Sequence, residues 1–159
     1  MVGCQIISQK LVLFEQMVQK RKRKVLPIEE FVPKIPPHEI ALEKLKKLEE
    51  EKLWQKGEVK LFHSNTTEII REYIEQRFSI PALESTTDEI LDNFKKVDLN
   101  GELKNILREM LVLADLVKFA KAKPLPDENE KTLQWAYQFV RETIENKIKE
   151  EKIAMNFTN

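Results

Sequence analysis

Three residue types are scarce in this sequence of 159 residues, and each scarcity excludes a class of protein. Three glycines are too few for a glycine-rich phosphate-binding loop or for the many tight turns of a β-sandwich. The single cysteine, Cys4, excludes internal disulfides and metal sites built from several cysteines. The two histidines, His38 and His63, lie far apart in the sequence and leave little with which to build a catalytic zinc site.

Long apolar runs are also missing. No stretch of about 18 consecutive apolar residues occurs, so we expect no transmembrane helix. The first 14 residues are semi-apolar but are interrupted by glutamine, serine and lysine, and we therefore expect no signal peptide either.

The residues that are present favour a helix-rich, charge-coated fold. Apolar residues make up 42% of the chain and charged residues 34%, with 27 basic and 27 acidic side chains. The charges are unevenly distributed, because residues 1–26 carry six basic side chains and one acidic side chain. A basic leader of net charge +5 therefore precedes a body of net charge −5.

A proline-rich segment separates the leader from the rest of the chain. Residues 1–24 form the basic leader, in which we predict an amphipathic helix over about 6–22. Residues 25–37 contain four of the seven prolines, and proline removes the backbone N–H and disfavours helix at the residue before it. We therefore interpret 25–37 as a semi-rigid linker and place the domain boundary there.

Apolar residues at intervals of three and four predict an all-α bundle of five helices over residues 38–150, followed by a frayed tail at 151–159. The first helix begins at Pro37 and ends at Gly57. The others cover about 58–78, 87–96, 102–121 and 127–150.

Local signals add detail to these helices. Thr86 and Glu89 have the spacing of a capping box at the start of the third helix. Asp127 is predicted to cap the last helix, with Glu130 three residues later. The helix over 102–121 is apolar on most of its circumference, and we predict it to be the central, most buried helix.

The candidates for catalysis or metal binding lack partners. His38 begins a helix as in a zinc metalloprotease, but Leu42 stands where the second ligand is required. Cys4 with His63 would need a fixed electropositive pocket that a fraying leader does not provide, and we expect His63 to be a partly buried packing or capping group. We interpret Asp88, Glu89 and Asp92 as helix-start acids. We therefore expect a chain that is not an enzyme and has no metal site and no cofactor.

The densest charge run is the candidate membrane-surface site: Lys20, Arg21, Lys22, Arg23 and Lys24. Such a run attracts both anionic lipid and nucleic acid. The helices at 58–78 and 87–96 also follow one another as in a DNA-binding helix-turn-helix. A DNA-binding regulator is therefore the alternative function. The second of these helices begins Thr-Asp-Glu on an acidic body, which disfavours contact with phosphates.

Six segments together resemble one family over about residues 36–145. The chain resembles the cytosolic helical domain of membrane-anchored bacterial proteins from aerotolerance (Bat-type) operon neighbourhoods. The segments are 36–42 (PPHEIAL), 52–57 (KLWQKG), 62–64 (FHS), 69–78 (IIREYIEQRF), 86–91 (TTDEIL) and 114–121 (ADLVKFAK).

The resemblance implies a helical domain without enzymatic activity. In that family an extracytoplasmic β-domain and one transmembrane helix precede a basic run, a proline-rich linker and the helical domain. Here Arg21–Lys24 and the linker 25–37 stand in the same order, whereas the polar residues of the leader do not suit a bilayer interior. We expect a cytoplasmic protein at the inner face of the membrane. Its expected partner is an unidentified protein, an anionic membrane surface is a further candidate, and nucleic acid is not expected. An enzyme of unknown chemistry is the third hypothesis, after a non-enzymatic interaction module and a DNA-binding regulator.

Overall fold

The computed structural model describes residues 35–156, and within them it confirms the predicted all-α fold with five α-helices and no strand. The helices are α1 (Pro37–Glu51), α2 (Val59–Phe78), α3 (Thr87–Phe94), α4 (Gly101–Phe119) and α5 (Pro126–Asn156), with a short 3-10 helix at Trp54–Lys56. None of these helices is long and apolar enough to cross a membrane. The predicted leader, the linker up to residue 34 and the candidate membrane-surface residues Lys20, Arg21, Lys22, Arg23 and Lys24 lie outside the described residues.

The start of α1 is as predicted, but its end is earlier. Pro37 is the first helical residue, where its missing N–H costs no hydrogen bond. The helix stops at Glu51 because Lys52 adopts the left-handed conformation, with φ 49°. The chain then turns through the 3-10 helix, which Gly57 closes with φ 88°. Leu53 and Trp54, at this bend, pack against the core.

The capping box at the start of α3 is confirmed. The Thr86 hydroxyl accepts a hydrogen bond from the Glu89 N–H at 3.3 Å, and the Glu89 carboxylate accepts one from the Thr86 N–H at 2.7 Å. The hydrogen bond from the Thr86 N–H, followed by the one that the Thr86 hydroxyl donates to the same carboxylate at 2.9 Å, lowers the pKa of Glu89. Both partners lie within four residues, so the sequence alone determines the contact.

The predicted cap of α5 is wrong. The helix begins at Pro126, one residue before Asp127. The Glu128 carboxylate accepts the hydrogen bond of the Leu125 N–H at 2.7 Å, and the Leu125 carbonyl accepts from the Glu128 N–H at 3.0 Å. Pro126 is suited to the first helical position, which moves the N-cap two residues towards the N-terminus, from Asp127 to Leu125. At the other end α5 continues to Asn156, past the predicted end near Glu150, since neither glycine nor proline interrupts 127–156.

The prediction that the helix over 102–121 is the most central is also wrong. It is α2 that packs against α1, α4, α5 and the 3-10 helix, whereas α4 packs against α2, α3 and α5. Val112, Leu116 and Phe119 of α4 are exposed. The apolar circumference of α4 therefore includes one face that the described bundle does not cover.

An aromatic cluster joins three helices in the core. Phe94 from α3 packs between Phe78 of α2 and Phe139 of α5, with ring centroids 5.1 and 6.1 Å away. Tyr73 packs edge-on against both Phe78 and Phe139. The Tyr73 hydroxyl donates to Thr143 Oγ1 at 2.7 Å, because the Thr143 hydroxyl itself donates to the backbone of α5. The cluster anchors α3, the shortest helix, to the rest of the bundle.

Candidate functional site

The predicted helix-start acids Asp88, Glu89 and Asp92 all lie on α3. Glu89 closes the capping box, and Asp92 makes an exposed ion pair with Lys95, the residue that follows α3. Asp88 and Asp92 both line a cleft between α3 and α4. Glu89 is separate from these two, because its carboxylate accepts hydrogen bonds from Thr86. Exposed ion pairs such as that of Asp92 with Lys95 contribute little to stability.

A groove between α2, α4 and the connector 79–86 is a structural feature that sequence reasoning did not single out. Its volume is about 470 Å³. It is lined by side chains from four separate parts of the chain: Ser64, Thr67, Glu68, Arg71, Leu83, Ser85, Thr86, Thr87, Asp115, Lys118 and Phe119. We call it the Arg71 groove.

Arg71 fixes one wall of this groove. Its Nη1 donates to the carbonyl of Ala82 at 2.9 Å and to the carbonyl of Ser85 at 2.5 Å. The planar guanidinium can satisfy two carbonyls and a third acceptor at once, which a lysine ammonium on a flexible stem does less well. Arg71 therefore ties the connector 79–86, which has no regular structure of its own, to the middle of α2.

A hydrogen-bonded chain continues from Arg71 across the groove floor. Arg71 Nη2 donates to Thr87 Oγ1 at 3.3 Å, and Thr87 Oγ1 donates to Asp115 Oδ2 at 2.6 Å. Burial lowers the pKa of Arg71, and the negative charge of Asp115 opposes that effect. An arginine guanidinium remains protonated in proteins. A positive and a negative side chain thus sit at the two ends of a buried threonine.

The rim of the groove is apolar. Leu83 on the connector is 48% exposed and Phe119 at the end of α4 is 77% exposed. Exposed large apolar side chains beside a groove with a few fixed polar groups are typical of a recognition site. The groove is suited to hold an apolar side chain of a binding partner over a floor of fixed polar groups.

Four of the six segments that carry the family resemblance meet at this groove. Segment 62–64 contributes Ser64, segment 69–78 contributes Arg71, segment 86–91 contributes Thr87, and segment 114–121 contributes Asp115 and Phe119. No single segment has a recognisable binding signature, and for this reason sequence reasoning missed the site. Their common location is visible only in the folded bundle.

His63 is more deeply buried than the sequence indicated. We expected a partly buried packing or capping group, but the side chain has 0% exposure. Its Nε2 lies 2.8 Å from Asn129 Oδ1 on α5, and its Nδ1 has no hydrogen-bond partner in the part of the chain that the structure describes. Burial lowers the pKa of His63, which the Asn129 hydrogen bond and the charge of Glu128 partly counteract. His38, at the start of α1, is only partly buried.

The arrangement of α2 and α3 differs from a helix-turn-helix. The two helices of that motif are joined by a turn of about three or four residues and pack directly on one another. Here the connector spans 79–86, and no Cα atoms of α2 and α3 lie within 8 Å of each other. The contacts between them are made by side chains, through Arg71 with Thr87 and Phe78 with Phe94.

The described residues contain no group of three or more histidine, cysteine, aspartate or glutamate side chains placed to hold a metal ion. Comparison with protein-family models, with curated proteins and with solved structures gives no match.

Proposed function

We propose that this chain is a non-enzymatic helical interaction module and the cytoplasmic part of a membrane-associated bacterial assembly. The Arg71 groove is the surface that binds its protein partner. The observation that carries this proposal is the exposed Leu83 on a connector that Arg71 holds at two carbonyls.

The physical reason for this proposal is that Arg71 holds Leu83 in place before a partner binds. An irregular segment would lose conformational entropy if it had to order when the partner binds. Arg71 orders the connector in advance, so less of the interaction free energy is lost in forming the complex.

The chemistry of the groove floor supports binding rather than catalysis. The Thr87 side chain is buried and its proton is directed to Asp115, while Arg71 donates to it from the other side. Arg71, Thr87 and Asp115 are thus hydrogen-bonded to one another within the chain. Such a network fixes the shape of the floor.

The membrane placement is supported by sequence and by the helical fold. The basic run Lys20–Lys24 is suited to an anionic surface, and the family resemblance implies a helical cytosolic domain of a membrane protein. The DNA-binding alternative loses support because α2 and α3 do not pack as a helix-turn-helix.

Site-specific photo-cross-linking tests the proposed surface. We would place a photoreactive phenylalanine analogue at Leu83 and, as the matched control, at the exposed Lys46 on α1, in cells that naturally produce the protein. We expect a discrete cross-linked protein from position 83 that is absent from position 46. The same adduct from both positions, or none from 83 with one from 46, would contradict the groove as the binding surface.

A further inference from the structure

The last turn of α4 and the chain that follows it, up to the first residue of α5, have an unusual composition for this acidic domain. Residues 116–126 include Lys118, Lys121 and Lys123 and no acidic residue. Residues 35–159 as a whole have 20 basic and 24 acidic side chains. We call residues 116–126 the basic connector; it is a local reversal of the charge of the domain.

The basic connector also carries three exposed large apolar side chains. Phe119 is 77% exposed, Leu125 is 66% exposed and Leu116 is 47% exposed. The Lys118 ammonium lies 5.6 Å from the centre of the Phe119 ring. Lys121 and Lys123 are also exposed. Large apolar groups and lysines are thus presented together to solvent.

Hydrogen bonds hold both ends of the basic connector. The Leu116 carbonyl accepts from the N–H groups of Ala120 and Ala122 at 3.0 and 3.1 Å. Lys121 takes a left-handed backbone, with φ 52°, which directs the chain away from the axis of α4. At the far end, Glu128 accepts from the Leu125 N–H. The exposed side chains are therefore carried on an anchored turn.

We propose that the basic connector docks the bundle on an anionic lipid bilayer. Phe119 and Leu125 enter the region between headgroups and acyl chains, while the three lysines contact anionic headgroups. The inference rests on the proposed placement at a membrane and adds a lipid contact of the bundle, separate from Lys20–Lys24. Charge complementarity selects this occupant, because the rest of the domain would be repelled by the same surface.

The expected strength is modest and depends on salt. Loss of one lysine near an anionic surface should weaken binding about fivefold, which corresponds to about 1 kcal/mol. The attraction falls off within a Debye length of roughly 8 Å at physiological ionic strength. Removal of all three lysines should therefore weaken this contact by about a hundredfold.

An environment-sensitive fluorophore on the full-length chain tests the contact directly. In a Cys4→Ser background, Leu125→Cys is labelled with nitrobenzoxadiazole, and Lys46→Cys on α1 is the matched control. We expect a blue shift at position 125, and none at position 46, with vesicles of mixed phosphatidylcholine and phosphatidylserine. Phosphatidylcholine alone or high salt should abolish the shift.

Two sets of substitutions separate this contact from the leader. Changing Lys118, Lys121 and Lys123 to glutamine should abolish the shift, while co-sedimentation with the vesicles persists through the leader. Changing Lys20, Arg21, Lys22, Arg23 and Lys24 to glutamine should weaken co-sedimentation but leave a shift at saturating lipid.

Several results would overturn the inference. Co-sedimentation that depends on the leader, with no shift at position 125, would refute the lipid contact of the basic connector. It would leave the proposed membrane placement intact. No binding of the full chain to anionic vesicles would refute both. A shift at position 125 that follows protein concentration without vesicles would show that a second copy covers the connector. A shift that appears only with an added acidic protein would identify a protein partner instead.

Discussion

Thr87 on α3 donates a hydrogen bond of 2.6 Å to Asp115 on α4, across 28 residues of sequence. The same hydroxyl accepts from Arg71 on α2, so that one threonine couples three helices beneath the Arg71 groove. The backbone of α3 packs closely against α4 alone among the described helices. The position of α3 therefore depends on a few side-chain contacts, and these contacts can be tested one at a time.

Replacement of Thr87 by valine should destabilise the bundle. The change keeps the side-chain shape but leaves Asp115 and Arg71 without their shared partner, which costs about 1–3 kcal/mol in the free energy of unfolding. Urea denaturation followed by circular dichroism measures this loss. Thr87→Ser, which keeps the hydroxyl, is the control and should lose markedly less. A loss in Thr87→Ser with none in Thr87→Val would show that the methyl group, and not the hydrogen bond, is what matters.

Replacement of Arg71 by alanine should release the connector 79–86. The hydrogen bonds to the carbonyls of Ala82 and Ser85 involve a charged donor, and their loss should cost about 2 kcal/mol or more. Arg71→Lys should recover little, because an ammonium cannot reproduce the planar fork. Limited proteolysis should show new cleavage within 79–86. The exposed Arg108→Ala is the control, with an expected change within about 0.5 kcal/mol.

The stability of the fold should fall as the solution becomes acidic, because of His63. Burial lowers its folded-state pKa below the ordinary value of about 6.5. The contribution of neutral His63 to the free energy of unfolding is therefore fully present above pH 6.5. It is lost as the pH falls from there through the lower folded-state pKa. In that window the free energy of unfolding should drop by up to about 1.4 kcal/mol per pH unit. Urea titrations between pH 8 and 5 measure the slope.

His63→Gln is the matched variant for this pH dependence. Glutamine keeps a group that can bond to Asn129 but does not titrate. We expect lower stability at neutral pH and a flatter profile between pH 7 and 5 than in the parent chain. Profiles of identical slope would show that carboxylates, and not His63, control the acid sensitivity.

Truncation of Phe94 to alanine should detach α3 from the core. The Phe94 ring is 1% exposed and packs against Phe78 and Phe139, so the cavity left should cost about 3–5 kcal/mol. Phe94→Leu retains most of the apolar volume and should lose less than half of that. Hydrogen exchange should be faster in α3 than in α2 for both variants. Uniformly faster exchange would instead indicate that α3 is essential to the whole bundle.

Features that depend on neighbouring residues were determined by the sequence alone. The all-α fold follows from the spacing of apolar residues, and the Thr86–Glu89 capping box needs only four consecutive residues. Pro37 as the first residue of α1 was equally predictable, since its missing N–H and fixed φ are local properties. Asp127 shows the limit of such reasoning. Several residues near a helix start can accept hydrogen bonds, and the geometry selected Glu128.

Only the tertiary structure decided which helix is central, how deeply His63 is buried and where the candidate site lies. Both α2 and α4 have wide apolar faces, and the choice between them depends on which partners cover each face. The Arg71 groove joins residues that are 16 and 28 positions apart along the chain, and no periodicity links them. Their meeting is a consequence of packing. A charged side chain can be half-buried at such a point only because the fold brings carbonyl, hydroxyl and carboxylate acceptors to it.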